Sequence, residues 1–400
     1  MTLLPSLILC VSLFQVGYSK QYLPPSTGPC NVQITPAELV DLSRVDPFSP
    51  DHSKRAIMAS SFVPVNCSES YDSPDHSNGG IMNSSFVPVN RSESQYSPYV
   101  SQKVAAVMDQ MLPLVGISFP NVTSKNFMIE TKSNGSHPSL PGKEYPVIIF
   151  SPGMGASRFI YSSLMQSVAS MGFVVISVDH PYDSAIVEFP DGKSINSLGV
   201  KKLRENILTA LDTRAKDLSF TLDQLEETPK LIPSSFTGRL QLDKVSVIGH
   251  SFGGAAAADV MINDTRFAGG MNLDGALWGS VLQQGLDRPF INFGEGKFLH
   301  ILNKTWSETW PHLRGFRREF KLNGSYHMTF SDLPLLVENA PISLEAKKNA
   351  TAAVGNVSGL RVRTILSDYI AAASTYFTTG KKSPLLDRSS AEYPEVVIVR

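Results

Sequence analysis

A serine flanked by glycines, between an apolar strand pattern and an alanine-rich helix pattern, constrains the fold of this chain most strongly. Residues 245–248 form an apolar run typical of a buried strand, and residues 255–262 have the composition of a buried helix. Between them, Ser251 occupies the centre of a Gly-x-Ser-x-Gly pattern. A sharp strand–turn–helix of this kind exposes the serine hydroxyl at the carboxyl end of a sheet. We expect Gly249 and Gly253 to be required, because strand and helix approach closely there; the alternative is a tight turn with an idle serine.

The rest of the chain from about residue 125 alternates between strand and helix patterns. The predicted strands are 145–150, 173–178, 245–248, 269–273, 289–293 and 316–322, and the predicted helices are 159–171, 198–225, 255–262 and 360–377. This alternation predicts an α/β fold with a mostly parallel sheet and helices on both faces. Together with the serine turn, it predicts the α/β-hydrolase fold.

A serine hydroxyl needs an adjacent base to become a nucleophile, and the base is oriented by an acid. On this fold the three follow in the order serine, acid, histidine. His327 comes just after a predicted strand, in a loop with the flexible Gly324. His312 lies in a tryptophan-rich helical stretch that favours a surface or packing role, and His250 is expected to point away from Ser251. We therefore predict that His327 is the base.

The predicted acid is Asp274, which ends the apolar run 269–273 and precedes Gly275. A carboxylate at the carboxyl end of a parallel strand reaches the same edge of the sheet as the serine turn. Glu295, at the end of the next predicted strand, is the rival candidate. The alternative is that Asp274 only caps the end of the strand and takes no part in catalysis.

An ester hydrolase also needs backbone N–H donors for the developing oxyanion. We expect one donor from Phe252, the residue after the serine. The second is expected from Met154 in the glycine-containing loop 151–155. The alternative is an ordinary strand-to-helix turn, which would use the same glycines.

The first nineteen residues have the pattern of a secretory signal peptide. Residues 3–16 are mostly apolar, and small residues precede a predicted cleavage site before Lys20. A membrane anchor is the alternative, but the stretch is short for about 30 Å of hydrocarbon. Ten of the eighteen asparagines begin an Asn-x-Ser/Thr sequon: Asn66, Asn83, Asn90, Asn121, Asn134, Asn263, Asn303, Asn323, Asn349 and Asn356. The sequence therefore predicts a secreted, extracellular glycoprotein.

We divide the remaining chain into an N-terminal extension, residues 20–124, and an α/β-hydrolase catalytic domain, residues 125–400. The extension contains a duplication, in which residues 57–66 recur 24 residues later as 81–90. Two copies are too few for a solenoid. We interpret them as a duplicated strand and loop, of which one copy can take a given place in a sheet.

Two cysteines, Cys30 and Cys67, remain once the signal peptide is removed. In a secreted protein they favour one disulfide between the N-terminal arm and the segment that follows. Two free, buried thiols are the alternative. No histidine cluster accompanies them, so the pattern does not favour a structural zinc site.

The composition restricts the partners of this chain. Apolar residues make up 42% and charged residues 18%, which is enough apolar material for a sizeable core. The formal net charge of −1 gives no electrostatic basis for binding nucleic acid. The predicted partner is a small-molecule or lipid ester substrate.

The chain resembles the plasma-type platelet-activating factor acetylhydrolases, and more closely their fungal secreted relatives. The motifs that carry this resemblance are Asp-Pro-Phe at 46–48, Phe-Ser-Pro-Gly-Met-Gly at 150–155, Val-Asp-His-Pro-Tyr-Asp at 178–183, Gly-His-Ser-Phe-Gly-Gly at 249–254, Asn-Leu-Asp-Gly at 272–275, His-Met-Thr-Phe-Ser-Asp at 327–332 and Tyr-Pro-Glu-Val at 393–396. Because these motifs are distributed from residue 46 to residue 396, the resemblance covers most of the mature chain. The Leu-Asp-Gly and His-x-x-Phe-x-Asp patterns are the specific ones.

This resemblance implies a calcium-independent α/β-hydrolase that removes short or oxidised acyl chains from the sn-2 position of phospholipids. We predict no cofactor and no metal site. The resemblance implies the triad Ser251, Asp274 and His327, with Met154 and Phe252 supplying the oxyanion hole. It also supports Asp274 over Glu295, because the family's acid follows the strand after the nucleophile helix. One departure is Pro152, where the animal enzymes have histidine. The expected oxyanion donor is a backbone N–H two residues later, so this substitution does not remove it. Because the loop lines the predicted pocket, the substitution is expected to affect acyl-group preference.

Other functions stay open. A general carboxylesterase and a cutinase or polyesterase use similar serine turns. A binding protein on an inactive hydrolase scaffold is disfavoured, because all three triad residues are present. The apolar stretches 160–165 and 306–310 are candidates for peripheral contact with lipid aggregates, although ordinary packing is the favoured interpretation.

Overall fold

The computed structural model describes residues 19–67, 95–120, 122–131, 142–227, 229–297 and 300–400. The strands of this part of the chain are β1 (Gln21–Tyr22), β2 (Asn31–Val45), β3 (Lys54–Val65), β4 (Gln95–Pro98), β5 (Phe127–Thr131), β6 (Glu144–Ser151), β7 (Val174–Asp179), β8 (Ile186–Glu188), β9 (Ser194–Asn196), β10 (Arg239–His250), β11 (Phe267–Leu273), β12 (Phe290–Glu295), β13 (Arg317–Leu322) and β14 (Val396–Ile398). The α-helices are α1 (Gln102–Met111), α2 (Ser162–Ala169), α3 (Val200–Glu205), α4 (Ile207–Glu227), α5 (Phe252–Asn263), α6 (Val281–Gln284), α7 (His300–Thr309), α8 (Leu333–Asn339), α9 (Leu344–Val354) and α10 (Gly359–Thr379).

The main sheet has nine strands in the order β14-β13-β12-β11-β10-β6-β7-β3-β2. The six strands from β13 to β7 pair in parallel. Strands β14, β3 and β2 pair antiparallel at the two ends. The predicted α/β-hydrolase fold with a mostly parallel sheet is therefore confirmed.

Helices cover both faces of this sheet, and the side chains of β6 show why. Val147 and Ile149 belong to a core cluster with α4 and α5, whereas Ile148 and Phe150 belong to the cluster on the opposite face with α2, α8 and α10. Alternate residues of a strand point to opposite faces, so a strand that is apolar throughout requires cover on both sides. The continuous apolar run in the sequence is explained by this double burial.

Strand order reverses between β6 and β10, and this reversal positions the candidate site. The chain passes from β6 outward to β7 and then returns to place β10 on the other side of β6. Loops that follow neighbouring strands at such a switch point diverge and leave a crevice at the carboxyl edge. The loop 151–155 follows β6 and the serine turn follows β10, so both border that crevice.

Residues 31–65, which the sequence division assigns to the N-terminal extension, contribute β2 and β3 to the main sheet. The first copy of the duplication, residues 57–66, lies largely within β3 and pairs with both β2 and β7. The second copy, residues 81–90, lies outside the described residues, as do the signal-peptide residues 1–18. The division at residue 125 stays a prediction about sequence organisation.

Cys30 and Cys67 form a disulfide. They lie just outside the paired ends of β2 and β3, where Asn31 is opposite Val65. The bridge therefore closes the open end of this hairpin, and of the two alternatives left by the sequence the structure has the disulfide.

Two predicted helices differ in detail. The predicted helix 198–225 is divided into α3 and α4 at Asn206, whose backbone angles of −121° and 34° are not helical and whose side-chain amide donates to the carbonyl of Lys202. The predicted helix 159–171 begins as a 3₁₀ turn at Arg158–Tyr161 before α2.

The apolar stretch 160–165 is buried, and Trp306 is fully buried, so packing accounts for these residues. Across the described residues, no helix combines the length and apolar character needed to cross a membrane.

Candidate active site

Ser251 lies at a sharp turn between β10 and α5 with φ 56° and ψ −124°. A positive φ is unfavourable for a residue with a side chain and is retained only where the surrounding structure enforces it. The two flanking glycines show how close the surrounding backbone is. A Cβ at Gly249 would lie 2.1 Å from the carbonyl of Gly253, and a Cβ at Gly253 would lie 2.0 Å from the carbonyl oxygen of Ser151. The expected glycine requirement therefore has a steric basis at both positions.

The structure brings the three predicted triad side chains together. Nε2 of His327 lies 2.9 Å from the hydroxyl oxygen of Ser251, and Nδ1 of His327 lies 2.6 Å from Oδ2 of Asp274. Since a carboxylate can only accept, Nδ1 carries a proton and donates it to Asp274. In the neutral ring Nε2 is then free to accept the proton of the Ser251 hydroxyl.

Asp274 is fully buried, and both of its carboxylate oxygens have partners. Oδ2 accepts from His327, and Oδ1 accepts from the backbone N–H of Glu295 at 2.8 Å. A buried carboxylate requires such partners, because desolvation otherwise disfavours its charge. Of the two rival acids, Asp274 is the one at Nδ1 of the histidine, and Glu295 supplies the backbone of the neighbouring strand.

The pKa of His327 reflects two opposing influences. Burial lowers it, but the hydrogen bond and negative charge of Asp274 raise it more, with a further contribution from the charge of Glu295, so the net pKa lies above its ordinary value. Burial and then repulsion by Asp274 raise the pKa of Glu295 to about 7. The electrostatics of the site therefore change near neutral pH.

A hydrogen-bonded chain that the sequence did not suggest connects the two loops of the site. Nε2 of His250 donates to the backbone carbonyl of His327 at 3.0 Å. Nδ1 of His250 then accepts from the hydroxyl of Tyr161 at 2.8 Å, and that hydroxyl accepts from the N–H of Gly153 at 3.1 Å. Burial, followed by the charge of His327, holds the pKa of His250 well below its ordinary value, so this ring is neutral.

The His250 ring hydrogen-bonds to Tyr161 and to the backbone of His327 rather than to Ser251, in keeping with the expectation that it points away from the serine. It nevertheless lies close to the site. Its ring centroid lies 4.6 Å from that of His327. The available signal was the position of the histidine itself, since a polar ring directly before an elbow serine is buried and must find partners. Tyr161 has no comparable signal, because its partner is distant in sequence.

The predicted oxyanion donors lie where the two loops meet. Phe252 is the first residue of α5, a position whose N–H has no acceptor within the helix. In the loop 151–155, the N–H groups of Gly153 and Gly155 are occupied by Tyr161 and Asp183, respectively. In the described part of the chain, the N–H groups of Met154 and Phe252 have no acceptor in the protein. They remain available to a substrate oxygen.

An apolar pocket of about 380 Å³ opens at Ser251 and His327. Its walls include Met108, Met111, Met154, Ile160, Val200 and Met328. None of the described residues that line it is acidic or carries a lysine or arginine side chain. The pocket therefore favours an uncharged, apolar group next to the reacting carbonyl. The described residues include no cluster of histidine, cysteine or carboxylate side chains able to hold a metal ion.

An α/β-hydrolase sheet that presents a serine on a strained elbow, with a histidine and a buried aspartate in hydrogen-bond reach, defines the class of serine ester hydrolases. The family model described as platelet-activating factor acetylhydrolase, isoform II, matches residues 101–351. The chain belongs to this family, and the resemblance inferred from its motifs is confirmed.

Individual relatives agree with this assignment. The chain is 28% identical over 393 residues to a protein of Arthroderma benhamiae named probable 1-alkyl-2-acetylglycerophosphocholine esterase, covering 95% of this chain and 94% of the relative. It is 28% identical over 228 residues to the platelet-activating factor acetylhydrolase of Cavia porcellus, covering 51% of this chain and 52% of the relative. Among solved structures, a ferulic acid esterase from Streptomyces cinnamoneus has a TM-score of 0.74 and 27% identity, covering 96% of this chain and all of that one.

Proposed function

We propose that this enzyme hydrolyses short or oxidised sn-2 acyl esters of phospholipids through an acyl-enzyme, with Ser251, His327 and Asp274 as its triad. The observation that carries the proposal is the continuous contact from Ser251 through His327 to the buried Asp274, beside an apolar pocket that Ser251 and His327 help to line. The name of the Arthroderma relative, which the chain matches over nearly its whole length, supports the phospholipid ester as substrate.

In the proposed reaction, Ser251 attacks the ester carbonyl while Nε2 of His327 takes its proton. Asp274 holds the imidazole in the required tautomer and stabilises the imidazolium that forms. The N–H groups of Met154 and Phe252 bind the oxyanion. His327 then protonates the leaving alcohol, and water releases the acid by the reverse proton route.

Turnover of phospholipids with graded sn-2 chains tests the substrate. We expect hydrolysis of sn-2 acetyl and other short-chain phosphatidylcholines, measured by the lysophospholipid released, and much slower release from sn-2 oleoyl. A Ser251→Ala variant should lose both turnover and labelling by a fluorophosphonate probe. Labelling of the wild type without any phospholipid turnover would contradict the substrate but not the ester hydrolase mechanism. Absence of labelling would favour an inactive scaffold.

A second candidate substrate is an ester of a hydroxycinnamic acid, favoured by the full-length similarity to the ferulic acid esterase. Methyl ferulate, p-nitrophenyl butyrate and a polyester film therefore belong in the same assay. A kcat/KM for methyl ferulate above that for the short-chain phospholipid would favour this alternative.

We also propose that the mouth of the pocket contacts the surface of aggregated phospholipid. Leu114 is 82% exposed, and Val115 and Val200 are partly exposed, although all three line the same pocket as Ser251. Exposed apolar side chains continuous with a lipid-ester site reduce the cost of lifting a substrate from its aggregate. Co-sedimentation with phosphatidylcholine vesicles should decrease in Leu114→Asp and not in Leu344→Asp, a matched exposed leucine outside this lining.

Secretion is the third element of the proposal. The side chains of Asn263, Asn323, Asn349 and Asn356, each the first residue of a sequon, are exposed. Together with the predicted signal peptide, they support a glycosylated extracellular enzyme. Expression in a eukaryotic host should give a product in the medium whose mass falls on treatment with an N-glycosidase; retention in the cytosol without glycan would contradict it.

A further inference from the structure

Behind the loop 151–155 lies a buried arginine that the proposed mechanism does not use. Arg214, on α4, is 1% exposed, and its Nε donates to Oδ2 of Asp183 at 2.6 Å. A guanidinium is buried only where its donors are satisfied. The remaining donors of Arg214 do not go to a second carboxylate. They go to the backbone and side chain of the loop.

Three of these contacts hold the carbonyl side of the loop. Nη1 of Arg214 donates to the carbonyl of Pro152 at 2.5 Å and to the hydroxyl of Ser151 at 3.1 Å. Nη2 donates to the carbonyl of Gly153 at 3.2 Å. Asp183, the ion-pair partner of Arg214, also contacts the loop, because its Oδ1 accepts from the N–H of Gly155 at 3.2 Å.

The carbonyl of Gly153 belongs to the same peptide unit as the N–H of Met154. None of the described peptide bonds is cis, so the C=O and N–H of this unit point in opposite directions. A donor that fixes the direction of the Gly153 carbonyl therefore fixes the direction of the Met154 N–H. A positive charge on the carbonyl side also strengthens that N–H as a donor, because hydrogen bonds in series polarise one another.

The same guanidinium contacts the side chain of Phe252, the residue that carries the second predicted donor. Its Cζ lies 5.0 Å from the centroid of the Phe252 ring, within the range of a cation–π contact. Arg214 thus contacts the peptide unit that carries the Met154 N–H and the side chain of Phe252, and it does not line the pocket at Ser251. We propose that Arg214, held by Asp183, is a positioning residue that sets the geometry of the oxyanion hole; this inference rests on the proposed ester hydrolase function.

Arg214→Lys tests the role, because lysine keeps the charge but cannot bridge two carbonyls and a carboxylate with one planar fork. Removal of one oxyanion donor typically lowers kcat about 10²- to 10³-fold. We expect kcat for p-nitrophenyl butyrate to fall about 30- to 100-fold in this variant, with KM changed less than about threefold. The concentration of active sites is taken from fluorophosphonate labelling carried to completion, so unfolded protein does not enter kcat.

Arg55→Lys is the matched control. Arg55 is also 1% exposed and pairs with the buried carboxylates of Asp46 and Asp217, but its remaining contact is the carbonyl of Pro181 rather than the loop 151–155. It should lose similar thermal stability while kcat per active site stays within about threefold of the wild type. An alkylboronic acid, whose tetrahedral adduct on Ser251 places an oxygen in the hole, should bind more weakly to Arg214→Lys by the same factor as kcat falls.

If Arg214→Lys does not fold, Asp183→Asn provides the same test with an isosteric change, and we expect a kcat about tenfold lower with KM retained. Equal kcat values in the Arg214 or Asp183 variant and the Arg55 control would overturn the positioning role. A lower kcat with unchanged boronic acid affinity would overturn it as well. A wild type that does not hydrolyse the ester at all would contradict the proposed function, and with it this inference.

Discussion

At the scale of single residues, the two acids at the ends of β11 and β12 have distinct environments. Asp274 is fully buried, and its carboxylate accepts hydrogen bonds from His327 and from the backbone N–H of Glu295. Glu295 lies beside this pair, where burial and then the charge of Asp274 raise its pKa to about 7. Asp274 therefore contacts the proposed base directly, whereas the charge of Glu295 changes near neutral pH.

Asp274→Asn should leave the fold intact and lower kcat about 10³- to 10⁴-fold, because an amide that donates to Nδ1 stabilises the wrong tautomer of His327. Steady-state turnover of p-nitrophenyl butyrate measures the effect. Glu295→Gln is the comparison, since it changes the rival acid in the same way and should leave kcat at its optimum pH within about tenfold. A reversal of the two results would identify Glu295 as the acid.

The pH dependence of kcat/KM reports the base. As the proposed base, His327 acts only when neutral, so we expect activity to fall as the pH drops below its pKa. Burial lowers this pKa, but Asp274 and then Glu295 raise it more. Replacing Glu295 by glutamine removes one negative charge, lowers the pKa of His327 and should shift the acid limb to lower pH by about 0.5 to 1 unit. Glu319→Gln is the control. Glu319 is a buried glutamate on β13 whose carboxylate pairs with Arg400, and its replacement should not shift the acid limb of the pH profile. A shift to higher pH in Glu295→Gln would contradict this coupling.

At the scale of elements, the sequence predicted the central strands and the triad because both depend on local signals. Strands β6, β7, β10, β11 and β12 each contain a short, mostly apolar run. Chain order on this fold supplied the candidate acids and bases, and the family resemblance favoured Asp274 over Glu295. Strand β2 gave no such signal: it lies at the edge of the sheet, contains Pro36 and has many exposed residues. The contacts of Arg214 and Tyr161 with the loop 151–155 join residues distant in sequence, so periodicity alone does not reveal them. The one local hint was an arginine on the apolar stripe of α4, beside Leu211 and Leu218.

The elbow is the element whose geometry is most demanding. A Cβ on Gly253 would lie 2.0 Å and 2.6 Å from the carbonyl oxygens of Ser151 and Pro152. Because these are backbone atoms of the loop that carries Met154, we expect Gly253→Ala to lower the free energy of unfolding by about 3 kcal/mol and to abolish activity. Gly380→Ala is the matched control: Gly380 has a φ of 76°, and a Cβ added there would have no neighbouring atom within 4 Å. This variant should lower the free energy of unfolding by about 1 kcal/mol and retain activity. Equal urea midpoints for the two variants would contradict the steric argument.

At the scale of the whole molecule, the proposed triad and the disulfide-bonded hairpin lie at different parts of the sheet. The proposed triad side chains directly follow β10 and β11 and lie in the segment after β13, whereas the β2–β3 hairpin extends the sheet on the far side of β7. The Cys30–Cys67 bridge closes that hairpin. The N–H of Cys30 also donates to the carbonyl of Ser170, which caps the C-terminus of α2. The N-terminal segment is thereby fixed to the catalytic sheet without contributing a reacting group.

This separation predicts that the disulfide affects unfolding and not turnover. A bridge between residues 37 apart restricts the unfolded chain, and its loss is expected to lower the free energy of unfolding by about 3 to 4 kcal/mol. The double variant Cys30→Ser/Cys67→Ser avoids a single reactive thiol, and it should unfold at lower urea concentration while kcat at 25 °C stays within about twofold of the wild type. Reduction of the wild type should reproduce the same urea midpoint, which controls for the serine side chains. A fall in kcat with an unchanged midpoint would show instead that the hairpin helps to shape the site, since the strands of a twisted sheet transmit displacement through their shared packing.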